Sequence, residues 1–391
     1  MRILFASIAP PFDKGLWAGV PAHMLEVLLK TGISVEIAAP LLGFNANART
    51  RLIARLWLRF QAWRCRRLGM GIYETMRDPI MCSLWAGEVR RHIYRLKPDV
   101  VLCLSSLPVC RLRTKIPIVI WPDATFDGML DFYWPRTHFS PLALRNGHRR
   151  EQEALDNASA VVYPSDWAAD TARKFYKVDS AKIHVIPYGC NLADPPTGAE
   201  VEAAIARRMS SLQECRLLFV GQDWVRKGGS QAVAVAEELN RQGLRCSLSI
   251  VGHQPPKDPF PAFLRYEGFL RKDVESENLR LRQLLSESHF LIGPSLAECG
   301  GMVFAEGAAF GVPSLSTKQG GTPTVIRDRI NGMTFAIDAQ PSEYANFITG
   351  TLNDKERYLE LCRRSRKEYE TRLNWQMACD SLVALCRTVA G

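Results

Sequence analysis

The feature that most constrains this chain is an alternation, repeated along most of its length, between short unbroken apolar runs and segments with helical period. "RILFAS" (2–7) is followed by the helical spacing of residues 22–29 and then by "SVEIAAP" (34–40). "DVVLCLS" (99–105), "IPIVIWP" (116–122), "AVVYPS" (160–165) and "IHVIPYG" (183–189) continue the series. After "NLADPPTGAE" (191–200), whose paired prolines and glycine read as a linker, a second series opens. It runs through "CRLLFVG" (215–221), a helix at about 228–242, "CSLSIVG" (246–252), "FLRYEGF" (263–269), "SHFLIGPS" (288–295) and "VPSLST" (312–317). Apolar runs of this length suit strands covered on both faces, and strands alternating with helices imply parallel sheets with crossover connections. The expected class is therefore α/β, with two Rossmann-like domains facing a cleft at the carboxyl ends of their strands. One domain spans 1–192, joined by a final helix at about 374–391, and the other spans 193–373.

Size agrees with this division, because 391 residues exceed what one hydrophobic core supports. No apolar run approaches the roughly 20 residues of a membrane-spanning helix, and the first apolar segment is too short for a signal peptide. The eleven cysteines are scattered, with no Cys-x-x-Cys pair, so reduced core thiols are expected rather than a disulfide frame or a zinc site. A formal charge of +10 invites an anionic partner: nucleic acid, a phosphorylated ligand or acidic lipid.

Two places concentrate the chemistry. In "GPSLAECGGMVFAEGAAFGVPSLSTKQGG" (293–321), Gly300 and Gly301 stand where a helix begins, between Glu298 and Glu306. A helix start stripped of side chains offers its amides, here those of Met302 and Val303, to an anion. In "LFVGQDWVRKGG" (218–229), Arg226 and Lys227 lie between a strand end and a glycine turn. A guanidinium grips phosphate in two places and an ammonium acts as a point charge. A Gly pair alone is more often a flexible turn, and an Arg-Lys pair alone a solvated one.

Taken with "IVGHQP" (250–255), "YEGFLRKDVE" (266–275) and "RDRINGMTF" (327–335), these stretches resemble the retaining glycosyltransferases of family 4, which have the GT-B fold. The resemblance implies that Glu306 takes the ribose hydroxyls of a nucleotide, that Glu298 approaches the donor sugar, and that Lys227 and Arg226 hold the diphosphate. Leu270 would line the donor pocket, and Gly19 in the first loop would admit the diphosphate from the other domain. The position after the strand glycine, often arginine in the family, is Gln222 here, which leaves Arg226 to supply that contact. Many relatives place a histidine near the reacting sugar where this chain has Asp123. An aspartate there could accept a proton or hydrogen bond, or could simply form the turn after Pro122. Asp127 is a second candidate, and His23 stands either at the acceptor mouth or on ordinary helix surface or core.

One segment lies outside this scheme. "RTRLIARLWLRFQAWRCRRLG" (49–69) is an arginine-rich amphipathic helix with an apolar arc that includes Trp63. Arg51, Arg55, Arg59 and Arg66 lie along the adjoining face. Either the arc packs on the N-terminal sheet, or the helix meets an anionic membrane surface.

The resemblance implies a cytoplasmic enzyme, peripheral on the inner face of the membrane if the basic helix meets it, that transfers sugar from a nucleotide-diphosphate sugar, with retention, to a glycan, lipid-linked or other hydroxyl acceptor. It implies no metal and no other cofactor, and no nucleic-acid partner. A nucleotide-sugar epimerase, a phosphorylase-like enzyme and a non-catalytic basic binding protein remain as alternatives.

Overall fold

A computed structural model describes residues 1–41, 48–252 and 261–391 of the chain. All of "HQP" in the 250–255 stretch therefore lies outside the described residues, as does the segment just before the basic helix. The chain divides into two compact units: unit 1 is Met1–Ile186 with Ala378–Gly391, and unit 2 is Pro187–Met377.

In unit 1 the strands are β1 (Arg2–Ala6), β2 (Ser34–Ala38), β3 (Val100–Cys103), β4 (Ile118–Ile120), β5 (Ala160–Tyr163) and β6 (Ile183–Val185). Among the described residues they form one six-stranded sheet, in the order β2-β1-β3-β4-β5-β6, with every pairing parallel. The physical cause is visible in burial: the side chains of β3, β4 and β5 are buried throughout, as strands covered on both faces must be. The end of the C-terminal helix returns to this unit, where the Cys379 thiol donates to the Met24 carbonyl at 3.6 Å.

Unit 2 contains β7 (Glu214–Gly221), β8 (Arg245–Gly252), β9 (Leu264–Gly268), β10 (Phe290–Gly293), β11 (Ser314–Thr317) and β12 (Gly332–Phe335). Its described strands also make a parallel six-stranded sheet, in the order β12-β11-β10-β7-β8-β9. β12, inside the stretch read as a turn, is an edge strand of four residues. The proline-rich stretch leads into the helix Gly198–Met209, which Thr197 and Glu200 start with a reciprocal capping box. The sheet core is dry: Leu217, Phe219, Leu248, Ile250, Phe290, Ile292 and Leu315 are no more than 1% exposed.

The strand order contains a reversal. From β7 the chain steps through β8 to β9 at one edge, then crosses back to β10 on the other side of β7. Loops leaving β7 and β10 at their carboxyl ends therefore diverge and open a crevice, the usual ligand position in such sheets. All eleven cysteines are free and buried.

The basic helix spans Ala48–Arg67. Its packing is not that of the predicted apolar arc on the sheet: Ala54, Gln61 and Cys65 are the buried positions, and Trp63 is 59% exposed. Small side chains let the helix approach the body closely on that stripe, and the bulky ones are left outside.

Candidate functional site

The loop after β7 turns sharply into the helix Gly229–Arg241. Gly228 makes this possible, because its φ of 72° is left-handed and a Cβ there would lie 2.0 Å from the Pro294 carbonyl oxygen. The close approach brings Lys227 against the loop after β10, where its ammonium pairs with the Glu298 carboxylate. Arg226 bridges the same loops. Its guanidinium bonds Asp223 at 3.3 Å and the Ala297 carbonyl at 3.1 Å, and its own carbonyl accepts the Leu296 amide at 2.7 Å.

Glu298 is 7% exposed and accepts the Gly301 amide at 3.1 Å. Burial pushes its carboxyl up, but the Lys227 charge and hydrogen bond, the Gly301 amide and the Arg226 charge outweigh burial and hold it below the ordinary carboxylate range. It is thus an ionised group in a nearly dry place. Its carbonyl accepts the Gly321 amide at 2.7 Å, tying the loops after β10 and β11 together.

Gly301 caps the helix Met302–Ala309 in a left-handed conformation, with φ 58°. The Met302 and Val303 amides fall in the first turn, where a helix has no acceptors of its own to offer them. Gly300 lies against Tyr188, with only 3.0 Å between a Cβ at that position and the ring. The carboxamide of Asn191, held by the Trp375 indole at 2.7 Å, reaches the Met302 sulfur at 3.2 Å and braces the helix start.

Glu306 follows on this helix, 4% exposed, and pairs with the Lys272 ammonium. Lys272 is the residue that the sequence reading missed. It sat in "FLRKDVE" (269–275), but nothing in the spacing tied it to a glutamate 34 positions later. Leu270 is half-buried in the same loop and packs on the apolar cluster below. The fold thus gathers Arg226, Lys227, Glu298, the Gly300-Gly301 turn and Glu306 at the carboxyl end of one sheet. Two buried carboxylates, each matched to a lysine, stand on either side of a helix start. The constellation can hold an anion at the amides and lysines, and accept hydroxyl hydrogens at the carboxylates.

The remaining candidates belong to unit 1. Trp17, Ala18 and Gly19 are successive left-handed residues, with φ of 52°, 50° and 80°. The Trp17 indole N–H donates to Asp123. His23 is 8% exposed, with Nδ1 3.7 Å from the Glu26 carboxylate. Asp127 is itself buried but sits in a half-exposed network: Arg136 donates to it at 3.0 Å, His148 Nε2 lies 3.4 Å away, and its amide donates to the Tyr176 hydroxyl at 3.1 Å. Arg51, Arg55, Arg59, Trp63 and Arg66 lie on the basic helix, apart from these residues in sequence.

Comparison with known proteins gives this geometry its context. Residues 214–354 match the family model described as glycosyl transferases group 1, and residues 22–194 match the glycosyltransferase family 4 model. A D-inositol 3-phosphate glycosyltransferase of Xylanimonas cellulosilytica is 25% identical over 243 residues, which are 60% of this chain and 58% of that relative's length. Among solved structures, sucrose-phosphate synthase of Thermosynechococcus elongatus superposes with a TM-score of 0.65 at 16% identity, covering 99% of this chain and 98% of that one. HepE of Anabaena, solved with UDP and glucose, superposes at 0.60 with 14% identity, covering 99% of this chain and all of that one. At such identities the structures establish the shared fold.

Proposed function

The chain belongs to the family 4 glycosyltransferases, with the GT-B fold, and on that premise we propose that it moves a sugar from a nucleotide-diphosphate sugar to a hydroxyl acceptor with retention of configuration. The observation that carries the reading is the pairing of Lys227 with buried Glu298 across the crevice between β7 and β10, directly ahead of the glycine-capped helix that bears Glu306. In the transfer, the bond between the sugar's anomeric carbon and the diphosphate breaks, and its electrons leave on a phosphate oxygen. Lys227 and the Met302 and Val303 amides would meet that growing negative charge. Glu306 would accept the two ribose hydroxyls, and Glu298 would face the donor sugar. The UDP and glucose of HepE support a nucleotide-sugar donor of this class.

The acceptor in this reading is a glycan or lipid-linked hydroxyl, as in cell-envelope polysaccharide or glycolipid synthesis, and no metal takes part. In this reading Gly19 admits the donor diphosphate, Asp123 stands near the reacting sugar, and His23 and Asp127 belong to the acceptor side. The test is a thermal-shift screen of nucleotide diphosphates and their sugars, followed by transfer assays with and without a chelator and by NMR of the product's anomeric proton. A matched nucleotide diphosphate raises the melting temperature, the product keeps the donor's configuration, and the chelator changes nothing. If no nucleotide diphosphate stabilises the protein and no sugar is transferred, the reading is wrong.

A further inference from the structure

The helix Ala48–Arg67 leaves its largest apolar side chains exposed, with the Trp57 indole N–H donating to Asp78 at 3.1 Å at one edge of the set. Leu52, Ile53, Leu56, Trp57, Phe60 and Trp63 are each between 42% and 59% exposed, while Ala54, Gln61 and Cys65 are at most 4% exposed. At about 100° per residue, the six exposed residues occupy an arc of about 140°, and its centre lies about 130° from the buried stripe. Rings follow one another along the arc, Trp57 to Phe60 at 6.4 Å and Phe60 to Trp63 at 6.1 Å. Arg55, Arg59 and Arg66 are exposed along one border of the arc. The helix holds seven arginines and no acidic residue.

A contiguous apolar face of this size marks an interaction surface, and its charge selects the occupant. A second copy of the chain, docked face to face, would set one row of arginines against another. An anionic lipid layer matches both parts of the helix: acyl chains accept the apolar arc, headgroup phosphates accept the guanidinium row, and tryptophan suits the boundary between them. No described helix is long and apolar enough to cross a membrane, so attachment would be in the plane of the surface. We propose that Ala48–Arg67 is a membrane-docking helix, seated in the headgroup layer of an anionic membrane through Leu56, Phe60 and Trp63, with Arg55, Arg59 and Arg66 on the phosphates.

The experiment is sedimentation of the full chain with phosphatidylcholine vesicles, with and without phosphatidylglycerol, alongside tryptophan emission and sedimentation velocity without lipid. The wild-type chain binds only the anionic vesicles, shifts its emission to the blue, and is weakened by salt. Arg55→Glu/Arg59→Glu/Arg66→Glu lowers the partition coefficient by about a hundredfold or more, since each arginine near anionic lipid is worth about a fivefold factor. Phe60→Ser/Trp63→Ser also loses binding, and both variants keep the wild-type melting temperature because the replaced side chains face solvent. Equal binding to neutral and anionic vesicles, or undiminished binding by both variants, overturns the proposal. So does a lipid-free dimer that Phe60→Ser/Trp63→Ser dissolves, which would assign the face to a second copy.

Discussion

The two sheets have the same parallel architecture and a reversal of strand order, yet the loops at their carboxyl ends are furnished differently. In unit 2, lysines and buried carboxylates from different loops meet, Lys227 with Glu298 and Lys272 with Glu306. In unit 1, the loop after β1 holds a run of left-handed residues, and the neutral Trp17 indole reaches from it to Asp123 in the loop after β4. In such an ion pair the lysine can turn to a ligand's phosphate while the carboxylate takes a ligand hydroxyl, so that neither group is left unmatched. A carboxylate satisfied by an indole, or sunk in a network as Asp127 is, makes that exchange less readily. The contrast supports the proposal that the charged donor binds in unit 2.

The sharpest way to break this contrast is Lys227→Ala. If Lys227 meets the leaving group as proposed, its loss lowers kcat by about a hundred- to a thousandfold, while Asp123→Asn in unit 1 does less; steady-state kinetics would refute the assignment if the order were reversed. Next comes Glu306→Ala, which on the proposed reading removes two charge-assisted hydrogen bonds to ribose. The donor KM rises about a hundredfold, and calorimetry with the nucleotide diphosphate detects the same loss. Donor affinity within threefold of wild type would remove Glu306 from the site.

Acid should separate the units as well. His289 in unit 2 is 0% exposed, and burial pushes its imidazole down to about 3 from an ordinary 6.5, with Arg216 adding to the effect. Its folded pKa is depressed, so the unfolded chain binds the proton first. Stability is therefore lost as pH falls below 6.5, by at most about 1.4 kcal/mol per pH unit until the folded imidazole itself titrates. Glu298 adds to the loss only below the ordinary carboxylate range. In unit 1, burial raises the Glu151 carboxyl against the pull of Arg77 and Ser106, so that group favours the folded state as pH falls and opposes it as pH rises. Hydrogen exchange from pH 7 to 5 should loosen β10 more than the helix Pro141–Asn157, and His289→Gln should flatten the difference.

The smallest expected effect tests the strain in unit 1. Ala18→Gly relieves a left-handed φ of 50° and should raise stability by about 0.5 to 1 kcal/mol, the gain being partly offset by the greater freedom of glycine in the unfolded chain. A fall in melting temperature would show that the backbone there is not under strain.

Much of the fold is legible in the sequence. The runs that became β3, β5 and β10 are apolar at every or nearly every position because both faces of those strands are covered. β12 was less legible, since four residues interrupted by Thr334 carry too little pattern to distinguish an edge strand from a turn. In the candidate site, Glu298, Gly301 and Glu306 stand close enough in sequence for their motif to be read directly. Lys272 could not be found that way, nor could the tie between Trp17 and Asp123, 106 positions apart.

Local sequence determined where strands, helices and sharp turns lie, because hydrophobic period and left-handed glycines act over a few residues. Tertiary structure decided which lysine met which glutamate and which face of Ala48–Arg67 met the body. Those outcomes depend on strand order and on how closely side chains let elements approach, and neither quantity is written in the spacing of neighbours along the chain.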